Sequence, residues 1–321
     1  MLKFLIILIF TSFHLTAEYK NSNGVALEKS INDMVRWMRS DQEPIITKIE
    51  ISSEWKSIDL SNNDNYAIWI GHSTFLIKKE GLTILTDPIF SDRASPFGFI
   101  GPKRLIPPAI NISALPRIDV ITVSHNHYDH LDISSLRKLS KLFPEALFFV
   151  PNGDKRLLNK NNIKNVHEFD WWNSFKVKNF EFTFTPVQHW SKRGLFDRNR
   201  SLWGGWHIKH DDYSIFHAGD TGYSNDFVQT RLRLGAPKYA FIPIGAYDPE
   251  WFMSDSHVNP EEAVQIMLDL EAEKGFGMHW ATFTLTDENT IEPKIRLENA
   301  TMKLDNLDFT SLVPGDVINL E

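Results

Sequence analysis

The sequence predicts a single α+β layered sandwich, and three observations support this fold class. Apolar runs paired as hairpins, such as those on either side of Glu80-Gly81, occur together with strand–helix units. The runs IDVITVS (118–124) and YAFIPIGA (239–246) are continuously apolar, which is typical of strands buried on both faces. No stretch is rich enough in Gly, Ser or Pro to act as a linker between domains.

The first half of the chain shows a helix, three strands and a long loop. INDMVRWM (31–38) has a helical pattern, and residues 66–90 read as three strands that end at Pro88. Residues 91–110 contain several prolines and two glycines, which predicts a long loop. After IDVITVS, Asp132 caps a helix that stops before Pro144.

Strands alternate with helices again in the second half. ALFFVP (146–151) and FEFTFTP (180–186) are predicted strands, and residues 203–221 are predicted to form a hairpin that turns at Asp211-Asp212. The clearest helix starts at 259–262, where Asn259 is the cap, Pro260 the first residue and two glutamates lie in the first turn. Gly275 is predicted to follow its end, before the strand FGMHWATF.

The amino terminus resembles an export signal. Residues 1–17 contain Lys3 followed by a short apolar run, which predicts a secretory leader or, as the alternative, an uncleaved membrane anchor. We therefore expect an exported protein in the periplasm or associated with a membrane. Residues 18–60 are predicted to be an extension that packs on the core, and residues 61–321 the catalytic domain.

Composition excludes several kinds of chemistry. The chain has no cysteine, so disulfides, thiolate nucleophiles and thiolate-bound zinc are impossible. The formal net charge of −7 argues against nucleic acid as a partner, because nucleic-acid binding needs a positive surface. Hydrophobic residues make up 42% of the chain and charged residues 23%, which is the balance of a globular protein.

The strongest functional signal is HNHYDH, which follows the buried strand IDVITVS. His125, His127, Asp129 and His130 crowd into six positions, a spacing typical of metal ligands. A surface turn would gain nothing from imidazoles that repel each other when protonated. Three more candidates stand at the ends of other predicted strands: His189, Asp220 and His279. Together these seven residues are enough for two zinc ions that share one carboxylate.

The motifs around these residues resemble a known family. In order from 71 to 283 the chain contains GHSTFLI, LTDPIFSDRASP, GPKRL, SHNHYDHLD, FTPVQHWSKR, LWGGW, AGDTGY, IPIGAYDPEWFM, HVNPEEA and MHWATF. This series is similar to the N-acylphosphatidylethanolamine-hydrolysing phospholipase D family of the metallo-β-lactamase superfamily. The resemblance implies a four-layer αββα sandwich with the site at one edge between two sheets.

The resemblance also implies which residues bind each ion. His125, His127 and His189 would hold one zinc ion, Asp129, His130 and His279 the other, and Asp220 would bridge the two. The implied reaction is phospholipase D type hydrolysis of N-acylphosphatidylethanolamine or a related phospholipid, with attack by a hydroxide held between the ions. The products would be an N-acylethanolamine and a phosphatidic acid.

Further residues are assigned supporting roles. The resemblance places His257 near the substrate, as a phosphate contact or a proton donor to the leaving oxygen, with a loop hydrogen bond as the alternative. Tyr128 is a candidate substrate contact or a packing residue of its loop. Asp87 is expected to accept a hydrogen bond from a ligand histidine or to cap a turn. His72 is expected to make a structural hydrogen bond, and His217 to lie in the core.

Two loops are candidates for contact with lipid. Residues 96–106 combine Phe97 and Phe99 with Lys103 and Arg104, which suits a peripheral contact with an anionic membrane, or else packing over the sandwich edge. The cationic segment 191–200 (SKRGLFDRNR) is expected to line the mouth of the site or to be a solvated loop. A homodimer is left open.

Two alternatives to the phospholipase stay open. One is another hydrolase of the superfamily, a lactonase or a different phosphodiesterase. The other is a zinc-bound binding protein without turnover, which the presence of all seven ligand residues disfavours.

Overall fold

The computed structural model describes residues 19–40, 42–62, 64–211 and 213–321. The predicted leader at 1–17 lies outside these residues. In the part of the chain that is described, no helix has the length and apolar character needed to cross a membrane.

The described residues form seven α-helices and fourteen strands, together with short 3₁₀ helices at Glu54–Ser57 and Ile112–Ala114. The helices are α1 (Ile31–Met38), α2 (Ile133–Leu142), α3 (Lys155–Lys160), α4 (Asp226–Leu234), α5 (Glu250–Met253), α6 (Pro260–Leu270) and α7 (Glu292–Thr301). The strands are β1 (Tyr66–Gly71), β2 (Thr74–Lys79), β3 (Leu82–Thr86), β4 (Val120–Thr122), β5 (Leu147–Pro151), β6 (Val166–Phe169), β7 (Ser174–Val177), β8 (Phe180–Thr185), β9 (Gly205–His210), β10 (Tyr213–His217), β11 (Tyr239–Pro243), β12 (Lys274–Met278), β13 (Phe309–Ser311) and β14 (Val317–Asn319).

The strands form two mixed sheets of seven strands each. The N-terminal sheet has the order β14-β1-β2-β3-β4-β5-β6, and the C-terminal sheet has the order β13-β12-β11-β10-β9-β8-β7. In both sheets antiparallel hairpins lead into a parallel half, β3 to β6 in one and β10 to β13 in the other. The last strand, β14, pairs antiparallel with β1 and so joins the carboxyl terminus to the N-terminal sheet.

The two sheets pack face to face, with helices on the outer faces. Successive side chains of β1 alternate between two cores, with Trp69 between the sheets and Ile68 under the helices. Aromatic rings fill the space between the sheets, where Phe75 meets Phe241 with ring centroids 4.2 Å apart. Leu136 and Leu139 of α2 cover the N-terminal sheet. The predicted α+β four-layer αββα sandwich is confirmed.

Helix α6 shows where a sequence signal for a helix end was misleading. The predicted N-terminus is confirmed as a capping box, in which Asn259 Oδ1 accepts from Glu262 N at 2.8 Å. The helix ends at Leu270, so the residue that follows it is Glu271, in the left-handed conformation, and not the predicted Gly275. Gly275 instead lies in β12, where a Cβ would come within 2.6 Å of Met267 Sδ. A glycine at position 275 therefore allows α6 to pack closely on β12.

Candidate metal centre

The seven predicted ligand residues follow four strands whose carboxyl ends meet at one edge of the sandwich. HNHYDH follows β4, His189 follows β8, Asp220 follows β10 and His279 follows β12. Strands β8 and β10 both run antiparallel to β9, so their carboxyl ends lie at the same edge of the C-terminal sheet. His125, His130, His189, Asp220 and His279 are almost fully buried, whereas His127 is half-buried.

A glycine brings the two sheets together at this edge. Gly219, directly before Asp220, has φ +64, and a Cβ there would lie 2.5 Å from Ser124 Cβ. Only glycine allows the loop after β10 to approach the loop after β4 this closely. The close approach carries the Asp220 carboxylate to the histidines of HNHYDH.

Three imidazoles form the first cluster of candidate ligands. His127 Nδ1 lies 2.9 Å from His125 Nε2 and 3.3 Å from His189 Nε2. Asp220 Oδ2 lies 3.8 Å from His125 Nε2 and 4.0 Å from His189 Nε2. These four side chains form one compact group of possible metal ligands.

The second cluster shares Asp220 with the first. Asp220 Oδ2 lies 3.1 Å from His130 Nε2, and Asp220 Oδ1 lies 3.1 Å from His279 Nε2. Asp129 Oδ2 is 3.5 Å from His130 Nε2 and 3.4 Å from His279 Nε2. The carboxylate of Asp220 therefore lies between the two clusters, where a bridging ligand would be needed.

The donor set fits divalent metal ions. Two ligand atoms about 2.1 Å from one tetrahedral ion lie about 3.4 Å from each other, which is close to the separations within both clusters. Nε2 of His130, Nε2 of His279 and Oδ1 of Asp220 are buried without a hydrogen-bond partner among the described residues. Buried polar atoms without partners are costly, and a cation would remove that cost.

In the second cluster two ionised carboxylates lie against two histidines whose pKa is raised, so negative and positive charges offset one another. Burial opposes ionisation of Asp129 and Asp220, but His130 and its neighbours hold the pKa of both carboxyls well below its usual value. Burial also disfavours charge on His279, yet Asp220 and Asp129 raise its pKa to about 9, and they raise the pKa of His130 as well. Binding of cations would displace these protons.

The three histidines of the first cluster are neutral and so offer lone pairs to a metal ion. Burial lowers the pKa of His125 and His189 well below its usual value, and it lowers the pKa of His127 to about 3. Neutral imidazole is the form that binds a metal ion.

Two candidate metal ligands, His130 and His189, are oriented by hydrogen bonds to the ring nitrogen that faces away from the cluster. Asp87, which follows β3, has Oδ2 2.7 Å from His130 Nδ1 and accepts from the amide and hydroxyl of Ser124 at 2.7 and 2.6 Å. His189 Nδ1 donates to the carbonyl oxygen of Ser256 at 2.8 Å. Both contacts leave the opposite Nε2 facing the cluster, which is how a protein orients a metal-binding histidine.

His72 is closer to the site than its predicted structural role suggests. Its Nε2 lies 2.9 Å from Asp129 Oδ2, and its ring centroid is 3.9 Å from that of His279. Burial lowers its pKa to about 3, so the ring is neutral and donates to the carboxylate. Strand β1 runs in the same direction as β3, so the turn after β1 lies at the same edge of the sheet as Asp87.

His257 lies beside Asp220, and Tyr128 contacts the 191–200 loop. His257 is half-buried, with Nδ1 3.9 Å from Asp220 Oδ2, and burial lowers its pKa to about 4. The hydroxyl of Tyr128 donates to the carbonyl oxygen of Arg193 at 2.7 Å. His217 is fully buried with Nε2 3.0 Å from the Ser73 carbonyl oxygen, as expected of a core histidine.

The loop at 96–106 divides into an exposed tip and a buried base. Phe97 and Phe99 are 53% and 82% exposed, and Lys103 is exposed. Arg104 does not contribute to a surface contact and follows the packing alternative, because its guanidinium is buried, donates to the carbonyl oxygen of Ile89 and stacks on Phe283. Ile106 is also buried. Only the tip of this loop is available to a partner.

Two supporting residues had no signal in the sequence. Asn21 of the N-terminal extension is buried, and its Oδ1 accepts from the His189 amide and from Trp203 Nε1, both at 3.0 Å. Asp154 is buried at the start of α3 and accepts from Asn126 Nδ2 at 3.1 Å. Both contacts join segments far apart in the chain, so neither can be read from local pattern.

Comparison with known proteins identifies relatives of the whole domain. Residues 83–280 match a family model described as a beta-lactamase superfamily domain. A Caenorhabditis elegans protein named N-acyl-phosphatidylethanolamine-hydrolyzing phospholipase D 1 is 38% identical over 269 residues, which cover 80% of this chain and 75% of that protein. The mitochondrial enzyme of the same name from Saccharomyces cerevisiae is 43% identical over 240 residues, and the match covers 73% of this chain but only 51% of the yeast protein.

Solved structures share the fold. A metallo-hydrolase from Ignicoccus hospitalis has a TM-score of 0.59 at 20% identity, covering 80% of this chain and 98% of that chain. The metallo-beta-lactamase fold protein YhfI from Bacillus subtilis has a TM-score of 0.55 at 16% identity, covering 79% of this chain and 99% of that chain.

Proposed function

The chain belongs to the N-acylphosphatidylethanolamine-hydrolysing phospholipase D family of the beta-lactamase superfamily and is a metal-dependent hydrolase, and we propose that it is a di-zinc phosphodiesterase. Its substrate would be N-acylphosphatidylethanolamine or a related phospholipid, and its products an N-acylethanolamine and a phosphatidic acid. The observation that carries the proposal is the convergence of five histidines and two aspartates on one buried point, with Asp220 between two clusters.

Each cluster would hold one ion. His125, His127 and His189 would bind the first ion, while Asp129, His130 and His279 would bind the second. Imidazole and carboxylate ligands without thiolates suit zinc in a catalytic site. Bound ions would supply Lewis acidity and a water molecule that is nucleophilic near neutral pH. Asp220 has one oxygen towards each of two histidines of the second cluster and would act as the shared ligand.

His257 is assigned to the substrate phosphate. Burial lowers its pKa to about 4, and nearby cations would disfavour its protonated form further. A neutral ring has one N–H, which can donate to a phosphoryl oxygen and stabilise the charge that builds there during hydrolysis. A hydrogen-bond donor to the phosphate therefore fits the environment of His257 better than a proton donor to the leaving oxygen.

Tyr128 is assigned to the ligand loop and only indirectly to the substrate. Its hydroxyl already donates to a backbone carbonyl, so it has no second proton to give to a ligand. The hydroxyl oxygen can still accept a hydrogen bond, which leaves a weak contact with a donor group of the substrate open.

A lipid substrate requires contact with a membrane surface. We propose an exported protein that meets the membrane peripherally through the tip of the 96–106 loop. Phe97 and Phe99 support this assignment because both rings are exposed and contact each other, with centroids 5.9 Å apart. Exposed aromatic pairs near a cationic side chain, here Lys103, suit an anionic lipid interface.

The test is an assay of the full chain together with a metal count. The purified protein is loaded with zinc, its metal content is measured by mass spectrometry, and it is assayed on N-acylphosphatidylethanolamine and on a lactone. We expect two zinc ions per chain and release of N-acylethanolamine. Asp220→Ala should reduce kcat/KM by at least about a hundredfold, because it removes a charged group that acts on both clusters.

Two results would reject the proposal. Hydrolysis of the lactone with no release of N-acylethanolamine would assign another reaction of the superfamily. Full activity of Asp220→Ala with two bound zinc ions would remove the role given to the shared carboxylate.

A further inference from the structure

The loop that carries HNHYDH has few backbone contacts of its own. Between β4 and α2, the amides of His130 and Leu131 both donate to the carbonyl oxygen of His127, at 3.1 and 2.9 Å. The residue before the loop is held by another segment, because the Gly204 amide donates to the Ser124 carbonyl oxygen at 3.0 Å. The two bonds to His127 shape the middle of the loop, and neither of them joins residues 126–131 to another segment. Four of the seven ligand candidates depend on how this one loop is held.

Arg193 contacts both ends of that loop. Its Nη1 donates to the carbonyl oxygen of Asn126 and to that of Leu131, each at 2.8 Å. The two acceptors enclose His127, Tyr128, Asp129 and His130. One nitrogen with two N–H groups thus joins the start and the end of the ligand-bearing segment, from a position more than sixty residues away in the chain.

The middle of the loop also contacts Arg193, and here Tyr128 of the loop is the hydrogen-bond donor. The guanidinium lies over the ring of Tyr128, 4.0 Å from its centroid, and the Tyr128 hydroxyl donates to the Arg193 carbonyl oxygen at 2.7 Å. The backbone amide of Arg193 donates to Asp197 Oδ1 at 3.2 Å, so the arginine is itself held within the 191–200 loop. Arg193 is half-buried, where charge-assisted hydrogen bonds are stronger than in water.

We propose that Arg193 is a positioning residue that clamps the ligand loop and sets the geometry of His127, Asp129 and His130. It does not touch the ligand atoms and acts through the backbone carbonyls at both ends of the loop and through the ring of Tyr128. The planar guanidinium can donate in two directions while it stacks on a ring, which a lysine ammonium cannot do equally well. The inference rests on the proposed metal binding, but its first test does not.

The first measurement is hydrogen–deuterium exchange of the full chain without metal. Arg193→Met removes both donors and keeps an unbranched apolar stem, so amides in the peptide covering 124–132 should exchange faster than in the wild type. Arg296→Met is the matched control, because Arg296 is also half-buried and its guanidinium also lies over a tyrosine ring, Tyr247, at 4.7 Å. The control should leave exchange at 124–132 unchanged.

The second measurement is zinc affinity by competition with a chelator. In Arg193→Met the affinity should fall by roughly tenfold to a hundredfold, the range seen when a group that supports metal ligands is lost. Arg193→Lys keeps a cation and one donor direction and should show an intermediate loss. Arg296→Met should bind zinc as the wild type does.

Each outcome has a defined meaning. Faster exchange at 124–132 together with weaker zinc binding, both confined to the Arg193 variants, supports the clamp. Wild-type exchange and zinc affinity in Arg193→Met, or equal changes in Arg296→Met, overturn it. If Arg193→Met does not fold, Arg193→Lys decides by the same two measurements. A wild-type protein that binds no zinc rejects the proposed function, whereas the exchange experiment still tests the contacts of Arg193.

Discussion

The two sheets contribute to the metal centre in different ways. The N-terminal sheet supplies four ligand candidates from a single loop after β4, whereas the C-terminal sheet supplies His189, Asp220 and His279 from the ends of three separate strands. The four candidates after β4 share one stretch of backbone, so a change in how the loop is held affects all of them. The three residues of the C-terminal sheet are each fixed by a strand whose register is set by its neighbours.

The groups that hold the candidate ligands in place also differ between the two sheets. On the N-terminal side the contacts come from ionisable side chains: Asp87 on His130, Asp154 on Asn126, and Arg193 on the loop ends. On the C-terminal side His189 is held by uncharged partners, the Ser256 carbonyl oxygen and Asn21 Oδ1. In this protein the ligand loop outside the sheet is therefore held by ionisable side chains, while His189, which follows β8, is oriented by uncharged groups. The predictions below test that difference.

The largest effect is expected at Asp87, the charged anchor of the N-terminal side. Asp87→Asn keeps the size of the side chain but removes the negative charge that faces His130 Nδ1. We expect zinc affinity of the second cluster to fall by roughly tenfold to a hundredfold, measured by chelator competition. Asp119→Asn is the control, because Asp119 accepts from the Thr83 amide at the opposite end of the parallel strands. Equal zinc affinity in all three proteins would contradict the role of Asp87.

Asn21 tests the C-terminal side. Asn21→Ala leaves the His189 amide without its acceptor, whereas Trp203 Nε1 still donates to the Val187 carbonyl oxygen at 3.1 Å. A buried donor without an acceptor costs about 1–3 kcal/mol. We expect a loss of unfolding free energy in this range by urea denaturation. Zinc affinity should change less than in Asp87→Asn. Asn23→Ala, an exposed residue of the same turn, is the control. A larger loss of zinc affinity than in Asp87→Asn would break the comparison.

Asp154 makes the N-terminal side sensitive to pH. Burial raises its pKa to about 7, so between pH 4 and 7 the folded protein keeps a proton that the unfolded chain has lost. The folded state binds more protons in this interval, and the contribution of Asp154 to stability therefore decreases as pH rises through it. Asp154→Asn cannot ionise, so its stability relative to the wild type should improve from pH 5 to pH 7.5.

The measurement is the unfolding free energy of both proteins at these two pH values. A difference between wild type and variant that does not depend on pH would show that Asp154 does not titrate in this interval.

The smallest effect on the folded protein is expected at the tip of the 96–106 loop, which neither sheet uses to build the centre. Phe97→Ser with Phe99→Ser should weaken binding to anionic vesicles in a sedimentation assay. The thermal transition should stay unchanged, because both rings are exposed. Met302→Ser is the control, since Met302 is 81% exposed just beyond α7. Vesicle binding of the double variant equal to that of the control would exclude the tip as the membrane contact.

Local sequence pattern predicted the structure best where the interacting residues are neighbours in the chain. The cap of α6, the hairpin turn at Glu80-Gly81 and the ligand spacing of HNHYDH involve neighbouring residues, and the structure contains the cap and the turn as predicted. Local sequence pattern was misleading where a contact between two secondary-structure elements determines the role of a residue. Glu271, not Gly275, follows the end of α6, and Gly275 lies in β12, where it packs against Met267.

The same division applies to the site. The sequence by itself determined which residues have metal-binding chemistry, because His and Asp at strand ends follow from composition and periodicity. Only the tertiary structure decided that His72 and Asn21 belong beside them, that Arg104 is buried, and that Arg193 joins both ends of the ligand loop. The physical reason is that each of these contacts closes a separation of many residues by pairing strands or packing two sheets, and no local pattern encodes such a distance.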